Sequence, residues 1–185
     1  RYDFSLRETQ TYEIIEDVAQ RKSEIGLLYL NDFNRTALQK LLRGADLDFT
    51  PLFTAHAHVF LSSDHPLSGA RAVSFDDLAS YPYLSFEQGD HNSFYFSEEI
   101  FSPAVRSKNI RVRDRATLFN LLIGLQGYTV CSGVIDSKLN GENIVAVPLT
   151  GVAPMEIGYI LPAGVQPGSL CRAYIENLKQ YVPID

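Results

Sequence analysis

Short apolar runs alternate along the chain with stretches in which apolar side chains recur every three or four residues, a pattern that predicts strands and helices in turn. Tyr2, Phe4 and Leu6 are separated by polar residues, the period of a half-buried strand. Ile14, Ile15, Val18 and Ala19 then share one face of a helix ending near Lys22. "IGLLYL" (Ile25 to Leu30) is a continuous apolar run of the kind covered on both faces in a parallel sheet. A second helix places Ala37, Leu38, Leu41 and Leu42 together, with Gly44 as its left-handed stop. "LDFTPLF" follows as an extended segment whose Pro51 suits a sheet edge or a crossover better than a central strand.

The same alternation continues beyond it. Ala57 to Ser62 reads as a strand closed by a turn at Asp64-His65-Pro66, and Ser74 with Asp77 forms a capping box for a short helix through Leu78 and Ala79. Tyr83 to Phe86 is a strand, "EQGDHN" a loop, Ser93 to about Ala104 a helix, and Ile110 to Arg113 extended. Ala116, Leu118, Phe119, Leu121, Leu122 and Leu125 make the longest amphipathic helix, ended by Gly127. "YTVCS", "NIVAVPL" and "MEIGYILP" are strands, Val134 to Leu139 a helical turn, and Leu170, Tyr174, Ile175 and Leu178 belong to a last helix. Strands that alternate with helices predict an α/β fold with a mainly parallel sheet. The Pro51 strand and the stretch from Pro148 to Pro154 read as crossovers, so residues 1–53 with 155–185 are expected to form one lobe and residues 54–154 the other.

Composition narrows the function. A hydrophobic content of 45% is globular, and no run of about 18 apolar residues is present to span a membrane. Sixteen basic against twenty-two acidic side chains give a net charge of −6 with no basic stripe, which argues against nucleic-acid binding by this chain itself. Cys131 and Cys171 fit no zinc or CxxC spacing and read as reduced thiols of a cytoplasmic protein, with a single disulfide left open. The chain starts at Arg1 inside a strand-like pattern and reads as a fragment of something longer.

Catalytic patterns are weak. His56 and His58 share a strand face and could ligate a metal, but no third ligand has an obvious partner spacing, so solvated strand histidines are the simpler reading. His65 before Pro66 reads as a turn residue, and Asp64 beside it does not make a dyad. "TVCSG" lacks the G-x-S-x-G elbow, and no GxGxxG, Walker or HExxH motif occurs. Neither an enzyme nor a cofactor is expected. What remains are polar loops where strands lead into helices, the usual ligand-binding edge of an open sheet. Three stand out, at Glu8 to Thr11, Glu87 to Ser93 and Asp114 to Thr117, with Ser132, Gly133 and Thr50 placed to complete a ring.

In order and spacing, "SEIGLLYL", "LDFTPLF", "HVFLSSDHPLSG", "VSFDDLASYPYLSF", "GLQGYTVCSG", "NIVAVPL" and "IGYILP" resemble the effector-binding domain of LysR-type transcriptional regulators over almost the whole chain. The resemblance implies a two-lobed fold of the type 2 periplasmic-binding-protein kind, joined by two crossover strands, with a small metabolite held between the lobes. It implies a cytoplasmic sensor that forms homodimers or tetramers through such domains and reaches DNA only through an N-terminal helix-turn-helix absent from this chain. The ligand-binding positions carried over are Thr50, Gln88, Gly89, Asn92, Ser93, Arg113, Asp114, Ser132 and Gly133, with no catalytic or metal-ligating residue. An anionic effector is favoured by the helix N-termini and by Arg113 or Arg115. Ser132-Gly133 stands where many relatives have proline, and the strand and helix that normally open the first lobe precede Arg1. A solute-binding protein of a transporter, and less so a dehydratase, are the other uses of this fold.

Overall fold

The computed structural model describes residues 3–87, 89, 96, 108–134 and 141–181. Its elements run α1 (Thr11–Ala19), β1 (Gly26–Leu30), α2 (Arg35–Gly44), β2 (Leu47–Ala55), β3 (His58–Ser62), β4 (Tyr83–Phe86), β5 (Asn109–Val112), α3 (Arg115–Leu125), β6 (Thr129–Cys131), β7 (Ile144–Pro148), β8 (Met155–Pro162) and α4 (Ser169–Leu178). No described helix is long and apolar enough to cross a membrane.

The fold is α/β and two-lobed, but its sheets are not mainly parallel. One sheet has the order β1-β8-β2, with β8 antiparallel to both neighbours. The other has the order β6-β3-β7, with β3 antiparallel to both. The β4-β5 pair is parallel and is joined to the start of β6 by a parallel bridge between Tyr83 and Tyr128. β1 and β2 do run the same way, as a strand-helix-strand unit requires. The reversed strand of each sheet is the one that has just crossed from the other lobe. It enters where its neighbours leave, Met155 opposite Ala55 and His58 opposite Pro148, and must therefore run against them.

Lobe one packs α1 and α2 on their sheet through Ile15, Val18, Leu28, Leu38, Leu42 and Ile160. Gly158 sits in the middle of β8, where a Cβ would collide with the Phe49 ring and the Thr50 carbonyl. Pro51 lies on β2, which has no further described partner beyond β8 and carries a bulge between Pro51 and Phe53. Lobe two has two clusters, one under β3 around Val59, Leu61, Leu78 and Val147, the other joining Phe60, Leu84, Leu118 and Leu122.

Several local expectations are corrected. Residues 3–10 form no strand, and Leu6 is 89% exposed, because alternation creates a ladder only where a partner strand lies alongside. β1 is fully buried on one face only; on the other, Tyr29 is half-buried and Leu27 is 36% exposed. Gly44 ends inside α2, and the left-handed residue after that helix is Asp46. Gln126 takes the left-handed position after α3, while Gly127 is needed for close approach to the Pro82 carbonyl. The Ser74–Asp77 box forms, with the Ser74 N–H donating to Oδ2 at 2.8 Å, yet the segment continues as turns rather than a helix. α4 buries Cys171 and Ile175 and leaves Leu170 and Tyr174 exposed. The helix expected from Ser93, apart from Phe96, and the turn over 135–139 fall outside the described residues.

Candidate functional site

Two adjoining cavities open between the lobes. The first, about 510 Å³, has apolar walls from both sheets and their helices: Ile14, Leu28 and Ile157 on one side, Phe60, Leu118 and Phe119 on the other. Polar groups reach it at Thr9, Arg115 and Ser132. The second, about 590 Å³, is polar, lined by Gln10, Glu13, Glu16, Glu87, Arg113 and Asp114 among others. Glu8, Thr9, Phe86 and Arg115 line both and so form the wall between them. Volumes of this size suit a small ligand, and apolar walls with a few polar groups are the usual lining of such sites.

Local chemistry explains how these side chains are set. Asp114 caps α3, its carboxylate accepting from the Thr117 N–H at 2.8 Å and from the Thr117 hydroxyl at 2.8 Å. These hydrogen bonds hold the Asp114 carboxyl below its usual range. The α3 N-terminus is thus occupied by the protein's own anion, whereas α1 begins without a side-chain cap. Arg113 pairs with Glu87. Arg115 reaches across the cleft to Glu8, its Nε and Nη2 donating to one carboxylate oxygen at 2.9 and 2.7 Å. Arg7 pairs with the buried Asp17 at 2.6 Å. Every arginine lining either cavity already has a carboxylate partner, so an anion entering here either shares that guanidinium or displaces the partner.

The residues expected at the site are distributed as follows. Ser132 lines the first cavity, and Gly89, Arg113 and Asp114 line the second. Gly89 (φ +54) packs against the Gln10 amide. Thr50 is exposed on β2 opposite Tyr159 and lines neither cavity. Gly133 lines neither, and its positive φ of 78° lets the chain pass over the His58 ring, which a Cβ would strike. Gln88, Asn92 and Ser93 lie outside the described residues. The apolar walls and the Asn31–Asn34 pair were not anticipated. Asn34 borders the first cavity and is 2% exposed; its Oδ1 accepts from the Asn31 N–H at 2.8 Å, while Asn31 Oδ1 accepts from the Asn34 N–H at 3.0 Å. The N-x-x-N spacing was its only trace in the sequence.

The histidines and cysteines fall elsewhere in the chemistry. His58 donates from Nδ1 to the His56 carbonyl at 2.9 Å, and among the described residues no group of three or more His, Cys, Asp or Glu could hold a metal ion. His65 is buried against Tyr81, ring centroids 4.3 Å apart, and its Nδ1 accepts from the Leu67 N–H at 3.0 Å. Its Nε2 is buried without a hydrogen-bond partner among the described residues, and desolvation lowers its pKa. Cys131 points its Sγ at the His58 carbonyl, 3.6 Å away, and burial pushes its thiol up to about 12, so it is no thiolate nucleophile.

The same architecture occurs in solved structures. HinK, a LysR family transcriptional regulator from Pseudomonas aeruginosa, is similar with a TM-score of 0.62 at 16% identity, over 94% of this chain and 57% of that one. The effector-binding domain of BenM with its effector benzoate is similar with a TM-score of 0.63 at 16% identity, over 95% of this chain and 78% of that one. The effector-binding domain of QuiR in complex with shikimate gives 0.61 at 17% identity, over 93% and 78%. At these identities the likeness establishes the fold, and the chain spans little more than half of HinK. No curated protein matches the chain by sequence. The LysR substrate binding domain model matches residues 1–183, and the chain belongs to that family.

Proposed function

We propose that this chain is the ligand-sensing regulatory domain of a LysR-type DNA-binding transcriptional regulator, taking a small anionic metabolite between its lobes and thereby altering promoter binding. The observation that carries the reading is the apolar cavity walled by both lobes with Arg115 at its edge. A ligand held there touches both lobes at once and so binds their open and closed arrangements with different affinity, which a signal requires. Residues 1–53 with 155–185 form one lobe in this reading and residues 54–154 the other. Ser132 would contact ligand in the first cavity; Gly89, Arg113 and Asp114 would border the second, and Gln88, Asn92, Ser93, Thr50 and Gly133 complete the set carried over from the family. Benzoate and shikimate, seen with BenM and QuiR, are small carboxylates and support the anionic class. DNA contact through a helix-turn-helix outside this chain, assembly as a homodimer or tetramer, and action in the cytoplasm belong to the same proposal.

Titration of the protein with a panel of small organic acids, followed by thermal denaturation and calorimetry, tests it. A true effector at 100 times its Kd stabilises the fold by about 2.7 kcal/mol. No binding and no thermal shift across the panel would overturn the reading.

A further inference from the structure

Glu8 and Arg115 are 107 residues apart in sequence, come from opposite lobes, and meet at the wall shared by the two cavities. Three observations make the contact more than an incidental surface pair. First, both partners are more than half exposed, so the pair contributes little to stability and separates readily. Second, Glu8 rides on residues 3–10, which belong to no helix or strand, so the segment can move without breaking a ladder. Third, Glu8 shares the second cavity with four other carboxylates, Glu13, Glu16, Glu87 and Asp114, against two arginines, Arg113 and Arg115, so the cavity carries an excess of negative charge. Arg115 also borders the first cavity, whose wall Cys131 and Ser132 share.

We propose that Glu8 is an internal stand-in for the effector's anionic group: without effector it holds Arg115 across the cleft, and an organic carboxylate whose apolar body enters the first cavity takes Arg115 from it. The exchange opens the Glu8–Arg115 part of the wall and removes one of the contacts that hold residues 3–10, beside Arg7–Asp17 and Gln10–Glu87, which ties ligand entry to a change at the cleft mouth. The inference rests on the effector reading above and adds the residue that sets charge selectivity. Arg7 is a poorer candidate for exchange because Asp17 is buried, and Arg113 lines only the carboxylate-rich cavity.

Benzoate and hexanoate, each beside its uncharged amide, are titrated into the wild type, Glu8→Gln, Arg115→Gln and the double variant, all checked for unchanged denaturation curves. Glu8→Gln is expected to tighten the acids about two- to fivefold, the free energy of an exposed pair, and to leave the amides unchanged. Arg115→Gln is expected to reduce the acids to the affinity of their amides, and Glu8→Gln to have no further effect in that background. Saturating acid is expected to speed amide exchange over residues 4–10 of the wild type. Acids that bind but are not tightened by Glu8→Gln, or are tightened equally without Arg115, overturn the exchange while leaving the effector reading intact. If no acid or amide enters any of the four proteins, both fall.

Discussion

The lobes are joined in two physically different ways, and the contrast shows where the molecule can move. At the hinge, β2 and β8 remain laddered to the crossing point, with Ala55 opposite Met155 and Thr54 opposite Glu156. Ala55, Ala57 and Met155 are buried there within the core of lobe two, and the Leu149 N–H donates to the Ala57 carbonyl at 2.9 Å. At the mouth, the lobes meet through Glu8–Arg115 and through the Gln10 amide donating to the Glu87 carbonyl at 3.3 Å, from a segment outside any sheet. Backbone bonds shielded by apolar packing are expensive to open, whereas exposed side-chain contacts trade with water at little cost. A rotation that opens the cleft therefore pivots on the crossover strands and breaks the mouth.

The comparison predicts that substitutions at the hinge, and in the β8 strand that runs from it, destabilise the protein by kilocalories while those at the mouth do not. Met155→Ala is expected to cost about 2–5 kcal/mol, toward the lower end because this side chain already borders the first cavity. Gly158→Ala should cost about 1–3 kcal/mol, since the added methyl meets the Phe49 ring and backbone rather than a movable chain end. Urea denaturation measures both. A Met155→Ala protein as stable as the wild type would show that the hinge is not the rigid joint.

Acid distinguishes lobe two from the mouth. Burial lowers the pKa of His65 in the fold, so the folded state binds its proton less readily than the unfolded chain does. The stabilisation is complete above the unfolded value of about 6.5 and is lost as pH falls through the lower folded value. Thermal denaturation between about pH 8 and pH 5 should show Tm falling on the acid side, and His65→Gln should flatten that part of the curve. An unchanged slope in the variant would place the acid sensitivity elsewhere.

Periodicity revealed much of this frame. β4 matches its expected span, α1 and α2 bury the expected Ile15, Val18, Leu38 and Leu42, and Pro51 lies on the edge strand. Strand direction was not legible, because an apolar run looks the same whichever way its neighbours run; only the crossing of β3 and β8 between lobes decides it. The left-handed turns at Asp46 and Gln126 were hidden for a related reason, each having a neighbouring glycine that seemed the natural occupant. Of the two cavities, the polar lining at Glu8 to Gln10 and Arg113 to Arg115 lies in or next to loops that turn residues mark in the sequence. The apolar walls were not so marked: Ile14, Phe60, Phe119 and Ile157 sit on four separate elements, and nothing in their local patterns distinguishes them from core.

The smallest effect on stability is expected at the mouth, where the comparison is also most sharply tested. Raising ionic strength from about 0.05 M to about 1 M shortens the screening length from over 10 Å to about 3 Å. Glu8–Arg115 is exposed on both sides and should weaken accordingly, while the buried ladder at Ala55–Met155 should not. Amide exchange over residues 4–10 is therefore expected to quicken with salt, exchange in β2 and β8 to stay slow, and the urea midpoint to change by under about 1 kcal/mol equivalent. In Glu8→Gln the salt response of residues 4–10 should vanish, because exchange is already fast without the pair. If β8 loosens together with residues 4–10, hinge and mouth open as one cooperative unit, and the cleft cannot open without partial unfolding of the joint.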